Sequence, residues 1–192
     1  MSLSNNDEIR ISVLNMDAYT LPCKSYIYIE RRVNKPADAV GDVRFSNNGL
    51  AFLLSEMSYE INGIEIQKLK TPGVASCLKA YCSYTLNDLN TLENAAWDSA
   101  MDGEDNKNFM SNNVLTGCIP LKHLFGFCGD YKKILLNCNQ QLILNRASTN
   151  LDAIHVVGAG ATKAVLKIEK LQLNLLGWCG RCLLSELVIK KN

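Results

Sequence analysis

The sharpest chemical pattern in the chain is Trp178-Cys179-Gly180-Arg181-Cys182. Two cysteines three apart behind a tryptophan form the dithiol used by disulfide oxidoreductases, in which a helix start following a strand acidifies the first thiol. Residues 162–175 do read as a strand ahead of the pair. Only ten residues follow Cys182, too few for the long helix, later strands and proline loop of such a fold. The pair therefore reads as two incidental thiols. Zinc fits no better, because a lone CxxC needs two further ligands and His123 and His155 each stand alone.

Residues 155–161 (HVVGAGA) imitate the opening of a dinucleotide-binding turn. Lys163 occupies the place of the third glycine, and no acid follows at the required distance in a βαβ context, so a glycine-rich loop between strands is expected. Asp102, Glu104 and Asp105 lack the alternation and closing glutamate of a calcium loop and read as a solvated acidic segment. Two histidines in ordinary surroundings support no Ser/His/Asp arrangement. The expectation is a protein without catalytic, cofactor-binding or metal-ligating residues, and not an enzyme.

The elements that would have to position such groups are mostly strands. Residues 47–70 (NNGLAFLLSEMSYEINGIEIQKLK) read as two long strands joined at Asn62-Gly63, a pair that supplies the two positive φ angles of a type I′ turn. Leu53, Met57, Tyr59 and Ile61 fall on one face, and Leu54, Glu56, Ser58 and Glu60 on the other. A two-residue turn sets Ile61 opposite Ile64, Tyr59 opposite Ile66, and Glu60 opposite Glu65 in water. The resulting apolar stripe needs a second sheet to cover it, which points to a β-sandwich.

Further strands are expected over residues 8–14, 24–33, 114–120, 155–157 and 162–175, with a second hairpin formed by 131–137 and 141–146 around Cys138-Asn139-Gln140. Residues 36–46 read as a loop and 121–130 as a compact apolar turn. Residues 74–84 form a short helix with Val74, Cys77, Leu78 and Tyr81 on its apolar face, and 87–100 a second helix with Leu89, Leu92, Ala96 and Trp97. Residues 101–113 are a polar, mobile connection. The fold class expected is mainly β: an antiparallel β-sandwich, a jelly roll of about eight strands, with one or two short helices in a connection. We expect a single domain over 1–192, with an atypical C-terminal tail from 176 to 192, where the alternation fails.

Composition narrows the partners. The chain has 192 residues, with 20 basic and 19 acidic side chains and a net charge of +1, so no polyanion-binding surface and no specific nucleic acid partner are expected. Its 20 asparagines and 12 glycines suit turns between strands. The start, MSLSNNDEIR, lacks the apolar core of a signal peptide, and no apolar run approaches the ~20 residues of a membrane span. A cytoplasmic protein without membrane contact is expected, with most of Cys23, Cys77, Cys82, Cys118, Cys128 and Cys138 reduced and buried as small hydrophobes.

Two stretches, residues 45–85 (FSNNGLAFLLSEMSYEINGIEIQKLKTPGVASCLKAYCSYT) and 118–154 (CIPLKHLFGFCGDYKKILLNCNQQLILNRASTNLDAI), carry a resemblance. YEINGIEI, the TPGVAS turn with its short helix, and the PLKHLFGF turn before a hairpin resemble the N-terminal jelly roll of double jelly-roll major capsid proteins. These are the capsid proteins of Polinton/Maverick-type elements and adintovirus-like viruses, including copies lodged in invertebrate genomes. The resemblance implies a structural virion protein, viral or domesticated, that self-associates as a homo-oligomer such as a trimer. It carries no residue-level site. It also implies two jelly rolls side by side, whereas this chain has strands for one. The reading from another class is a cellular jelly-roll binding module that recognises a small ligand or a protein through the loops at one end.

Overall fold

Ile9, Ile11 and Val13 alternate with polar residues along the first strand, and all three are buried. That period-two pattern recurs through a computed structural model that describes residues 7–13, 19–34, 42–97, 110–111, 114–157, 165–176, 182–184 and 187–190. The described strands are β1 (Glu8–Val13), β2 (Tyr26–Asn34), β3 (Asp42–Phe45), β4 (Leu54–Ile61), β5 (Ile64–Lys70) and β6 (Met110–Ser111). After them come β7 (Val114–Pro120), β8 (Gln140–Arg146), β9 (Ile154–Val157), β10 (Val165–Leu176), β11 (Cys182–Leu184) and β12 (Leu187–Lys190).

One five-stranded sheet runs β12-β1-β8-β4-β5 and another runs β11-β10-β2-β7-β6, while β3 and β9 form a separate pair. Every strand pairing is antiparallel. Two antiparallel sheets with a few short helices make the chain a mainly β jelly-roll sandwich. Ile9, Ile11, Met57, Tyr59, Leu142 and Leu144 from the first sheet share one core cluster with Ile27, Ile29, Ile119 and Leu173 from the second. Each such side chain gains roughly 1.5–3 kcal/mol from leaving water, which is what holds the sheets face to face.

The hairpin forms, with changes. Asn62 and Gly63 have φ of 51° and 76°, as a type I′ turn requires, and Ile61 pairs with Ile64 and Glu60 with Glu65. The register then shifts between Tyr59 and Glu60, so Tyr59 faces Gln67 and not Ile66. Ile66 is the extra residue of a bulge, and Ile64 and Ile66 end up exposed. The first strand also starts later than expected. Asn48 adopts a left-handed φ of 58°, which ends any extended run, and residues Ala51–Leu53 form a 3-10 turn before β4.

Other departures have local causes. Residues 131–137 form no hairpin with β8, whose neighbours are β1 and β4. Leu135 instead exchanges backbone bonds of 2.8 and 3.1 Å with Thr20. Within the expected loop of 36–46, Asp42–Phe45 is a strand because β9 pairs with it. The helix expected over 74–84 is α1 (Pro72–Ser83). The second expected helix shortens to α2 (Leu86–Asn90), capped reciprocally by Thr85 and Asp88, followed by a 3-10 turn at Glu93–Ala95 that ends where Ala96 takes φ 61°. The apolar turn contains two helical turns, α3 (Leu121–Leu124) and α4 (Gly126–Asp130). Within 101–113 only Met110–Ser111 is described, and it is a strand. In the tail, Cys182–Leu184 pairs with β10 and Leu187–Lys190 with β1.

Candidate interaction surface

Most of the residues singled out for chemistry have no described position. Residues 178–181 of the dithiol pattern, the glycine-rich loop 158–161 with Lys163, and Asp102, Glu104 and Asp105 lie outside the described residues; Cys182 is placed at the start of β11. His155 lies on β9 opposite Arg44, and His123 on α3. Among the described residues no group of three His, Cys, Asp or Glu side chains could hold a metal ion. Cys23, Cys77, Cys82, Cys118, Cys128 and Cys138 are free thiols, but of these only Cys128 is buried, so the expectation that most are buried is corrected. Cys82 is exposed on α1, and Cys23, Cys77, Cys118 and Cys138 are partly covered, Cys77 packing against the core from α1 and Cys118 lying within β7. Burial raises the pKa of Cys77 and Cys118 and pushes Cys128 up to about 12, so these thiols stay protonated and are weak nucleophiles.

His123 is fully buried against aromatic rings. Its Nδ1 lies 3.3 Å from the Tyr84 hydroxyl, and the Trp97 ring meets it edge-on at 6.1 Å. Burial, with Lys79 and Lys122 adding to it, pulls its pKa down to about 4. A neutral imidazole so deeply enclosed reaches no solvent-borne substrate. Its Nε2 and the Trp97 Nε1 have no hydrogen-bond partner among the described residues. It serves as a core residue.

The surface of α1 is the unexpected feature. On the expected apolar face, Val74, Leu78 and Tyr81, spaced at i, i+4 and i+7, are 49%, 61% and 70% exposed, while Cys77 packs partly against the core. Pro72, Gly73, Ser76 and Ala80 are buried in their place. Close approach explains the inversion. A Cβ on Gly73 would stand 2.4 Å from the Phe52 ring, so at this position only glycine admits the helix to its seat. Ser76 Oγ donates to the Pro72 carbonyl at 2.6 Å and receives the Asn48 Nδ2–H at 2.5 Å. The small, polar stripe is thus bonded down, and the large apolar one is left in water. Tyr81 is steadied from the side by the Trp97 ring at 5.2 Å and by Asn47 Nδ2, which donates to its hydroxyl at 3.3 Å. The overlooked signal was the run of small residues Gly73, Ser76 and Ala80 on the face opposite the large ones.

A family model described as a double jelly roll-like domain matches residues 43–185. The chain belongs to that family. The match runs from β3 through β11 and so enters the tail beyond residue 176. No curated protein matches the chain. Among solved structures, the PBCV-1 virus capsid, a quasi-atomic model, matches with a TM-score of 0.40 and 13% identity over 99% of this chain and 40% of that one. The chain therefore spans about two fifths of that capsid chain.

In this double jelly roll-like domain, β5 continues the exposed apolar character of α1. It is the outer strand of its sheet, and among the described residues nothing pairs with its far edge. Ile64 and Ile66 stand in water at 67% and 40% exposure. Glu65 stands exposed between them, and Lys68 pairs with Glu56 at 2.8 Å, the charges that keep a free edge from unspecific pairing. Leu86 on α2 adds another exposed side chain. Chemically, the arrangement can bury apolar surface against another protein. No helix among the described residues is long and apolar enough to cross a membrane.

Proposed function

We propose that this double jelly roll-like domain is a non-enzymatic, capsid-type structural protein that acts by self-association, with β5 and the outer stripe of α1 as its contact surface. The observation that carries this reading is the outward-facing set Ile64, Ile66, Val74, Leu78 and Tyr81 on a well-packed sandwich. Large apolar side chains held rigid at a surface, with charges at the margin, are what a protein interface requires. The kind of protein meant is the capsid protein of Polinton/Maverick elements and adintovirus-like viruses, or a domesticated copy of one. Its assembled form is a trimer or a larger ring, made in the cytoplasm and carried in a virion where the gene is viral. Membrane and specific nucleic acid contacts play no part.

Sedimentation velocity over a range of concentrations tests it. Trimers or larger species should form, and Ile66→Glu together with Leu78→Glu should return the protein to monomer while it stays folded. A wild-type protein that remains monomeric at high concentration would sink the assembly role and leave the ligand-binding module in its place.

A further inference from the structure

The 3-10 turn Pro22–Lys24 and the start of α3 are tied together by the Leu121 amide, which donates to the Ser25 carbonyl at 2.9 Å. That bond brings the neighbours of both residues, Lys24 and Lys122, into the lining of one cleft of about 250 Å³. Thr91 and Asn94 overhang it from the segment after α2, and Tyr26 and Cys118 form part of its wall on β2 and β7. No acidic residue lines it.

The charge balance of this cleft is one-sided. Neither lysine forms an ion pair with a described carboxylate. Asp88, whose pKa is lowered chiefly by the Thr85 hydroxyl and amide and last by Lys122, is already held by those two groups at 2.7 and 3.0 Å. Lys79 Nζ donates to the Lys122 carbonyl at 2.6 Å behind the cleft, where Asp130 offsets its charge, so the two lysines of the lining are the cations the cleft itself presents. Burial keeps the Cys118 thiol protonated, so it adds no negative charge. A concave wall that includes two lysines focuses their field on whatever enters.

We propose that this cleft binds a compact oxyanion, a phosphate or carboxylate carried by a small molecule, with Lys24 and Lys122 pairing with its charge. The Asn94 amide donates a hydrogen bond to it, while the Thr91 hydroxyl, which donates to the Asp88 carbonyl at 2.6 Å, holds the overhanging segment in place. The volume corresponds to about eight water molecules at their share of the liquid, room for the oxyanion and a short carbon skeleton. This site does not depend on self-association and lies apart from the β5 and α1 side chains invoked for it.

Isothermal titration of the full chain with orthophosphate and with glutarate, at ionic strength held constant with sodium chloride, tests the proposal. Saturable binding of either probe is expected, and the better probe identifies the source of the charge. The exposed pair Lys24→Ala/Lys122→Ala should weaken it by roughly tenfold or more, while Lys132→Ala/Lys133→Ala, which removes the same charge elsewhere, should leave it unchanged. No saturable heat from either probe would overturn the site. So would equal weakening by the two double variants, which would reduce it to general charge attraction.

Discussion

The helix α1 and the helical turns α3–α4 look alike as sequence, VASCLKAYC beside LKHLFGFC, yet the structure treats them in opposite ways. In α3–α4, Leu121, His123, Leu124, Phe125 and Cys128 are buried, and Phe125 packs its ring 5.9 Å from Tyr59 in the core of the first sheet. In α1 the large side chains face water. The difference lies in what each segment can bring close. Phe125 adopts φ −95° and ψ 126° between the two short helices, an extended kink that aims its ring inward, whereas α1 is one uninterrupted helix of twelve residues that seats itself through Gly73, Ser76 and Ala80. An apolar stripe therefore states that a surface is to be covered, and not by what.

Four measurements would break or sharpen that contrast. The largest effect is expected for Phe125→Ala, which empties the point where α3–α4 meets Tyr59. A loss of about 3–5 kcal/mol should appear in urea unfolding. A loss below about 1 kcal/mol would mean that this segment is no better anchored than α1.

The next effect is one of pH. His123 has a folded-state pKa of about 4 against an ordinary 6.5, so the unfolded chain takes up the proton first as pH falls. Its contribution is therefore complete above about pH 6.5, declines as pH falls toward 4, and is lost below that, a change of roughly 3 kcal/mol. Thermal unfolding between pH 4 and 7 should show this slope in the wild type and a flatter one in His123→Leu. Parallel slopes would place the imidazole in contact with solvent.

Gly73→Ala comes third. A methyl group 2.4 Å from the Phe52 ring must displace it, at a cost of about 1–3 kcal/mol in unfolding experiments. An unchanged midpoint would show that α1 is loosely seated and that the Phe52 ring yields freely. The smallest effect on folding belongs to Leu78→Glu, within about 0.5 kcal/mol for the monomer, because the side chain touches little in a single chain. A strong destabilisation of the monomer would reveal that α1 already packs against something.

The sheets were largely legible. Alternation at Ile9, Ile11 and Val13 fixed β1, Ile27 and Ile29 marked β2, and Asn62-Gly63 defined a turn whose φ angles leave few choices of residue. Burial of a whole face is a strong, local and repeated constraint, so period two survives in the sequence. What stayed hidden depends on pairing over long distances. The Ile66 bulge arises because Gln67 is drawn inward, where its Oε1 accepts the Phe127 amide at 2.9 Å, a contact sixty residues away. Asp42–Phe45 is a strand only because β9 arrives beside it. Of the candidate surface, the helix was visible and its orientation was not, since Phe52, which Gly73 admits, lies outside it. Lys24 and Lys122 are about a hundred residues apart, and no spacing rule joins them.

Strand β8 sits between β1 and β4, and Gln141 Nε2 donates to Ser12 Oγ at 2.9 Å across 129 residues of chain. This connectivity makes time a part of the fold. At roughly 5–20 residues per second, the ribosome needs several seconds after finishing the β4–β5 hairpin to deliver the strand that pairs with its other side. An isolated hairpin is barely stable in water, so nascent chains carry Met57 and Tyr59 uncovered through that interval. In those seconds the charges of Glu56, Glu60, Glu65 and Lys68 stand as the ribbon's own defence against sticking to its neighbours on the same message.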